Sequence, residues 1–279
     1  MATHTISAQG STKSDVYAVD PSVRARRRET VIVVAGQILL GVSSLLLWQF
    51  ASGRIVSDFW ISSPGAVWQA LIDLWTEGSL LPAIKVTLTE TLLGFGLGAG
   101  LGVAVGLVLA ISPIIARIVD PYLVAANSLP RVALIPLLIL WFGIGLETKV
   151  IFAALLVFFP VFMNTFSGIR DVDRDLIDVL RVMGAKRLDT IRTVLMPSAF
   201  VWVFAGLRVS IPFALIGAVI AEMFTSDEGL GYLISKTANQ YDTAGSFAAI
   251  FVTTFIGVVL TAGISQVERR VLKWQPNNN

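Results

Sequence analysis

Apolar residues run along this chain in six blocks too long for strands and too evenly apolar for surface helices. The first is Val31 to Trp48, within about 30–50, and the others lie at about 88–111, 121–145, 148–169, 198–225 and 246–268. A helix rises about 1.5 Å per residue and a bilayer's hydrocarbon core is about 30 Å thick, so each block is long enough to cross it. The pattern predicts an all-α integral membrane protein with six transmembrane helices. Between the first two blocks lies an extracytoplasmic segment, 51–87, in which Val67, Ala70, Leu71 and Leu74 recur at helical spacing within Pro64 to Trp75. That stretch predicts an interfacial helix. Residues 1–29 are polar and read as a disordered tail, and 274–279 as a second short tail.

Two blocks carry a pattern of their own. In the second, Gly94, Gly98, Gly102 and Gly106 recur every fourth residue and clear one helix face of side chains. Lipid offers apolar residues no gain on leaving it, so such a face favours close helix approach through van der Waals contact. Packing within the chain is the expectation, ahead of a subunit interface. In the fifth block Pro212 removes a backbone donor and predicts a kink. The first block follows basic residues as a signal peptide would, but it is long for one and lacks a clear cleavage site, so a retained helix is expected.

Composition agrees with the pattern. Hydrophobic residues make up 55% of the chain and charged residues 14%, where soluble domains carry about 45–50% and about 25%. Charge then orients the spans. With the N-terminus inside, Arg24, Arg26, Arg27 and Arg28, the loop at 170–197, and Arg269, Arg270 and Lys273 all fall on one side. Only Arg54, Lys85, Lys149 and Lys236 fall on the other, which satisfies the positive-inside rule with both termini cytoplasmic. A net charge of +2 without a basic stripe argues against nucleic acid. The chain has no Cys, and its one histidine, His4, sits in the polar tail, so neither a metal centre, a cofactor nor an intramembrane catalytic site is expected. It has no phosphate-loop motif, so any ATP must be hydrolysed on another subunit. An ion-coupled secondary transporter is the rival class, but no internal repeat supports it.

The loop at 170–197 is a charged island between the fourth and fifth spans. Leu176, Ile177, Val179, Leu180 and Met183 form an apolar stripe, and Gly184 stands where a left-handed residue ends a helix. Leu188, Ile191, Val194 and Leu195 continue at helical spacing on a second segment, and Pro197 suits the first turn of the fifth span. By its residues alone the island is either a bent connector for a partner or an amphipathic loop anchored in headgroups. Asp178-Val179-Leu180, three residues, Gly184, nine residues, then Val194-Leu195-Met196-Pro197 resembles the EAA loop of importer-type ABC permeases. It departs from the pattern at Asp178, Val179, Leu180, Val194 and Met196, and keeps Gly184 and Pro197 at the required spacing. Ile135 to Gly145 (IPLLILWFGIG), Gly206-Leu207-Arg208, Ala221-Glu222 and Gly229 to Ile234 are similar to the nitrate, sulfonate and taurine branch.

That resemblance implies a type I importer permease fold in a bacterial inner membrane, with cytoplasmic coupling helices in the island. It implies two copies of the chain around a pathway, ABC ATPase subunits docked on the islands, and an extracytoplasmic solute-binding protein. The coupling residues would be Asp178, Val179, Leu180, Arg181, Met183, Gly184, Ala185, Lys186, Ile191, Val194, Met196 and Pro197. The solute would be a small anion such as nitrate, an alkanesulfonate or taurine, with pyrimidine or aromatic nutrients as the alternative. Asn127, Arg131, Asn164, Arg208 and Glu222 are the polar residues at membrane depth, where an ionised group must face protein or water, and they are the candidates for the pathway.

Overall fold

The computed structural model describes residues 21–110, 113–170, 179–180, 182–186, 189, 193, 196–225 and 227–272. It divides between Val56 and Ser57 into two units. The first unit holds α1 (Pro21–Ala51), which starts ahead of the expected boundary at 30. Pro21 suits a first helical position, and Ser22 to Glu29 contains no helix breaker, so the helix continues through the Arg cluster. Its apolar stretch, Glu29–Ala51, is unburied. Gly53, at φ 74, turns the chain beyond it, and its N–H reaches the Val56 carbonyl at 2.9 Å.

The second unit contains α2 (Pro64–Thr76), α3 (Leu80–Ala110), α4 (Pro113–Asn127), a 3-10 turn at Arg131–Leu134, α5 (Ile135–Phe142), α6 (Leu146–Arg170), α7 (Met196–Thr225), α8 (Leu230–Asn239) and α9 (Thr243–Val271). The expected interfacial helix is α2, started by Pro64 and by the Ser63 hydroxyl, which accepts from the Ala66 N–H. Among the described residues five helices are long and apolar enough to span a membrane, or six if one bent pair is a span. That pair stands where a third span at 121–145 was expected. Its halves, Arg117–Asn127 and Arg131–Phe142, meet at 85°. Pro130 has no N–H to donate and pushes Leu129 out of helical geometry, so the ladder stops there. Pro136 in the first turn of α5 then restarts it.

The core is α6 between α3 and α7, with Phe152, Val157, Val161 and Phe162 fully buried. The glycine face of α3 lies on α6. A Cβ at Gly94 would stand 2.5 Å from the Ala153 Cβ, one at Gly102 would stand 2.9 Å from the Phe158 carbonyl oxygen, and one at Gly106 would stand 2.9 Å from the Thr165 Cβ. The face is therefore used within the chain, as expected. Gly96 and Gly100 point into open space. Phe158, Phe162 and Phe166 stack along α6 at 5.6 Å intervals. Helix α7 runs unbroken through Pro212. Helix α8, a short element turned back after α7, has no counterpart among the expected elements.

Candidate functional site

The break between α4 and the 3-10 turn gathers two of the five pathway candidates. Asn127 is exposed at the end of α4, and its side-chain oxygen accepts from the Arg131 guanidinium. Arg131 also lies over the Phe159 ring, 4.7 Å from its centroid, and its Nε is buried without a hydrogen-bond partner among the described residues. Phe159 is near the middle of α6, so at about 1.5 Å per residue Arg131 sits near mid-depth of that span. Ser128, Leu129 and Pro130 are exposed beside it. Irregular backbone and a guanidinium are tolerated at such depth only against protein or water.

The other three candidates are elsewhere. Half-buried Asn164 donates to the Pro160 carbonyl at 2.8 Å, and its Cβ stands 3.0 Å from where a Gly206 Cβ would be. It belongs to the crossing of α6 and α7. Arg208 is exposed and reaches Glu268 near the end of α9 at 3.9 Å. Glu222 is fully buried, away from any open surface.

Around Glu222 a polar network ties α3, α6, α7 and α8 together. Thr87 of α3 donates its hydroxyl to Glu222 Oε1 at 2.6 Å, and its oxygen accepts from the Leu230 N–H at 2.9 Å. Glu222 Oε2 accepts from the Gly231 N–H at 2.6 Å. Glu90, facing the Glu222 carboxyl, is paired with Lys149. Glu90, Lys149 and Glu222 are all buried. Lys149 is thus an interior residue of α6, where its charge had suggested a place in a far-side loop.

In the island, Asp178, Arg181, Ile191 and Val194 lie outside the described residues. Gly184 has φ 84, and the Ala185 N–H bonds to the Leu180 carbonyl at 3.0 Å, the arrangement that closes a helix on glycine. Val179 and Met183 before it are exposed, at 57% and 77%. Lys186 follows, its N–H donating to Asp189 Oδ2 at 2.9 Å. Met196 and Pro197 open α7, where Pro197 takes a first-turn position.

Residues 98–273, which take in the break, the island and α6 to α9, match the family described as binding-protein-dependent transport system inner membrane component. The chain belongs to this permease family. It is a subunit of an ABC importer, non-catalytic and multi-pass in the inner membrane. Similar relatives of the permease include the formylaminopyrimidine transport permease of Halalkalibacterium halodurans, 31% identical over 83% of this chain and 92% of that one. A putative aliphatic sulfonates transport permease of Bacillus subtilis is 34% identical over 85% and 87%. The riboflavin transport system permease of Chloroflexus aurantiacus is 36% identical over 93% and 97%. The fold of the permease is shared with a chain of the inward-facing MetNI methionine ABC transporter, with a TM-score of 0.60 and 18% identity over 69% of this chain and 95% of that one.

Sequence reasoning about the permease missed Glu90 and Lys149. A signal existed: Glu90 is an acidic residue inside the long apolar stretch of α3, and a carboxylate at that depth requires a partner.

Proposed function

We propose that this permease works as a pair of identical subunits carrying a small organic or inorganic anion, an alkanesulfonate, taurine or nitrate, past Arg131. The observation that carries the reading is the bent helix pair, which sets a guanidinium, an exposed amide and irregular backbone at mid-depth. Lipid would penalise that combination, whereas a water-filled path between subunits would use it. Arg131, half-buried on an aromatic ring, attracts an anion without holding it in a closed cage. A heteroaromatic solute is the second reading, favoured by the formylaminopyrimidine and riboflavin permeases among the relatives.

Drive enters at the island. The helix closed by Gly184 presents Val179 and Met183 to an ATPase on the cytoplasmic side, and the positive-inside charge pattern favours both termini on that side. Apolar anchors of this kind supply most of the energy of such a contact. An extracytoplasmic binding protein delivers the solute at the opposite end. ATP closes the two ATPase subunits, the islands follow, and the attached spans tilt as rigid bodies to expose the path to alternate sides.

Two measurements test this. Uptake into proteoliposomes holding permease, ATPase and binding protein is expected to fall about tenfold in Arg131→Gln for an alkanesulfonate, equivalent to about 1.4 kcal/mol, and to recover in part in Arg131→Lys. Unchanged anion uptake in Arg131→Gln, or uptake of riboflavin in place of sulfonate, removes the anion reading. A cysteine introduced at Met183 is expected to crosslink to the ATPase in native membranes. Its labelling from outside the cell instead would reverse the orientation.

A further inference from the structure

Helix α8 has no side-chain cap of its own at its N-terminus. Its cap residue is Gly229, with no side chain to receive the first N–H groups. The N–H groups of Leu230 and Gly231 are bonded instead to Thr87, on α3, and to Glu222, in the last turn of α7. Two glycines make the approach possible. A Cβ at Gly229 would collide with the Glu222 carboxyl, and Gly229 also stands at φ 103. A Cβ at Gly231 would stand 2.9 Å from the Glu222 Cβ and would strike the Val219 backbone. Drawing α8 away from α7 would leave the buried Gly231 N–H and one oxygen of the buried Glu222 carboxyl unpaired, a costly outcome for such groups.

From this geometry we infer that Glu222 is a positioning residue that makes α8 move as one body with α7, carrying motion from the island to the opposite end of the permease. Helix α7 begins at Met196, at the end of the island, and runs 30 residues, about 45 Å, to Thr225. Glu222 joins its far end to α8. At the other end of α8, Lys236 and the following Gln240 line one side of a polar groove of about 460 Å³, with Gln69 and Asp73 of α2 and the following Glu77 on the other. Thr237 of α8 bonds Ser246 at the start of α9 at 2.8 Å, so the α8–α9 turn travels with it. The groove is where displacement of α8 against α2 is felt. This inference rests on the proposed drive through the island, and it assigns Glu222 to transmission, not to contact with solute.

The chain contains no cysteine, so spin labels placed on it meet no background from the permease itself, and they are attached before assembly with the ATPase and binding protein. Exposed Met223 on α7, Ala238 on α8 and Thr76 on α2 are suitable cysteine positions. Distances are measured by pulsed electron resonance in proteoliposomes with ATPase and binding protein, nucleotide-free and trapped with ATP and vanadate. The expected result is a 223–238 distance that stays within about 1 Å while the 76–238 distance shifts by about 2 Å or more, the scale of helix displacements in such switches. In Glu222→Gln the 223–238 distribution is expected to broaden and the solute moved per ATP hydrolysed to fall about fivefold, the lower end of ordinary coupling between sites. If the 223–238 distance changes as much as the 76–238 distance, α8 does not ride on α7 and the inference is overturned. If neither distance responds to trapping, the drive through the island fails, and the transmission fails with it.

Discussion

Gly98→Val is expected to drive α3 off α6 and leave little folded permease in the membrane. The obstacle is backbone: a Cβ at Gly98 would press on the Ala154 carbonyl and Cα and stand 2.8 Å from the Val157 Cβ. A flexible side chain could swing aside, but a helix backbone cannot, so the two spans must separate along their length. Overpacking in a well-filled core costs about 1–3 kcal/mol, and two β-branched carbons against a carbonyl belong at or above the top of that range. Gly100→Ala supplies the control, because nothing lies within 4 Å of its Cβ position. That change should be neutral or stabilising by up to about 1 kcal/mol, since alanine is the better helix former. Thermal unfolding of the two variants in detergent, followed by tryptophan fluorescence, checks both. Equal melting points would mean that the glycine face is not where α3 and α6 meet.

The same four glycines show what could be read before any coordinates. A four-residue repeat of missing side chains fixes a face and demands a partner backbone, and the structure supplies α6. Long apolar blocks likewise pointed to an all-helical chain with five to six apolar spans. The 85° bend at the third was not read, because Pro130 and Pro136 sit inside a mostly apolar run and hydropathy does not register a missing N–H. Helix α8 was invisible for a different reason. Ten residues are too few to show a period reliably, and its start depends on Thr87 and Glu222, one of them 143 residues away. Among the site residues, Gly184 was legible because a left-handed helix end is a local property of one residue. The Glu90–Lys149 pair was not, because pairing between spans is set by which faces meet, and a lysine near a loop is otherwise assigned to solvent.

Lys149→Met is expected to destabilise the permease by about 3–5 kcal/mol, the usual result of removing one partner from a buried ion pair. Both members are nearly inaccessible, Lys149 at 7% and Glu90 at 1% exposure, so water cannot take over the role of the lost ammonium. The geometry makes the loss worse than in an isolated pair. Glu90 Oε2 has no hydrogen-bond partner among the described residues, and the neighbouring carboxyl is Glu222, whose own oxygens are committed to Thr87 and Gly231. Without Lys149 two carboxyl groups face each other in the core with no cation between α3 and α6. Replacing both partners, as Glu90→Met with Lys149→Met, removes the uncompensated charge and is expected to recover most of the lost stability, because a well-packed apolar pair substitutes for a buried ion pair at little or no net cost. Glu222 keeps both its donors in the double variant, so α8 stays attached. Melting points of the wild type, both single variants and the double variant form a cycle whose coupling energy is the pair itself. A double variant no more stable than Lys149→Met would show that the lysine acts through packing and not through the charge of Glu90.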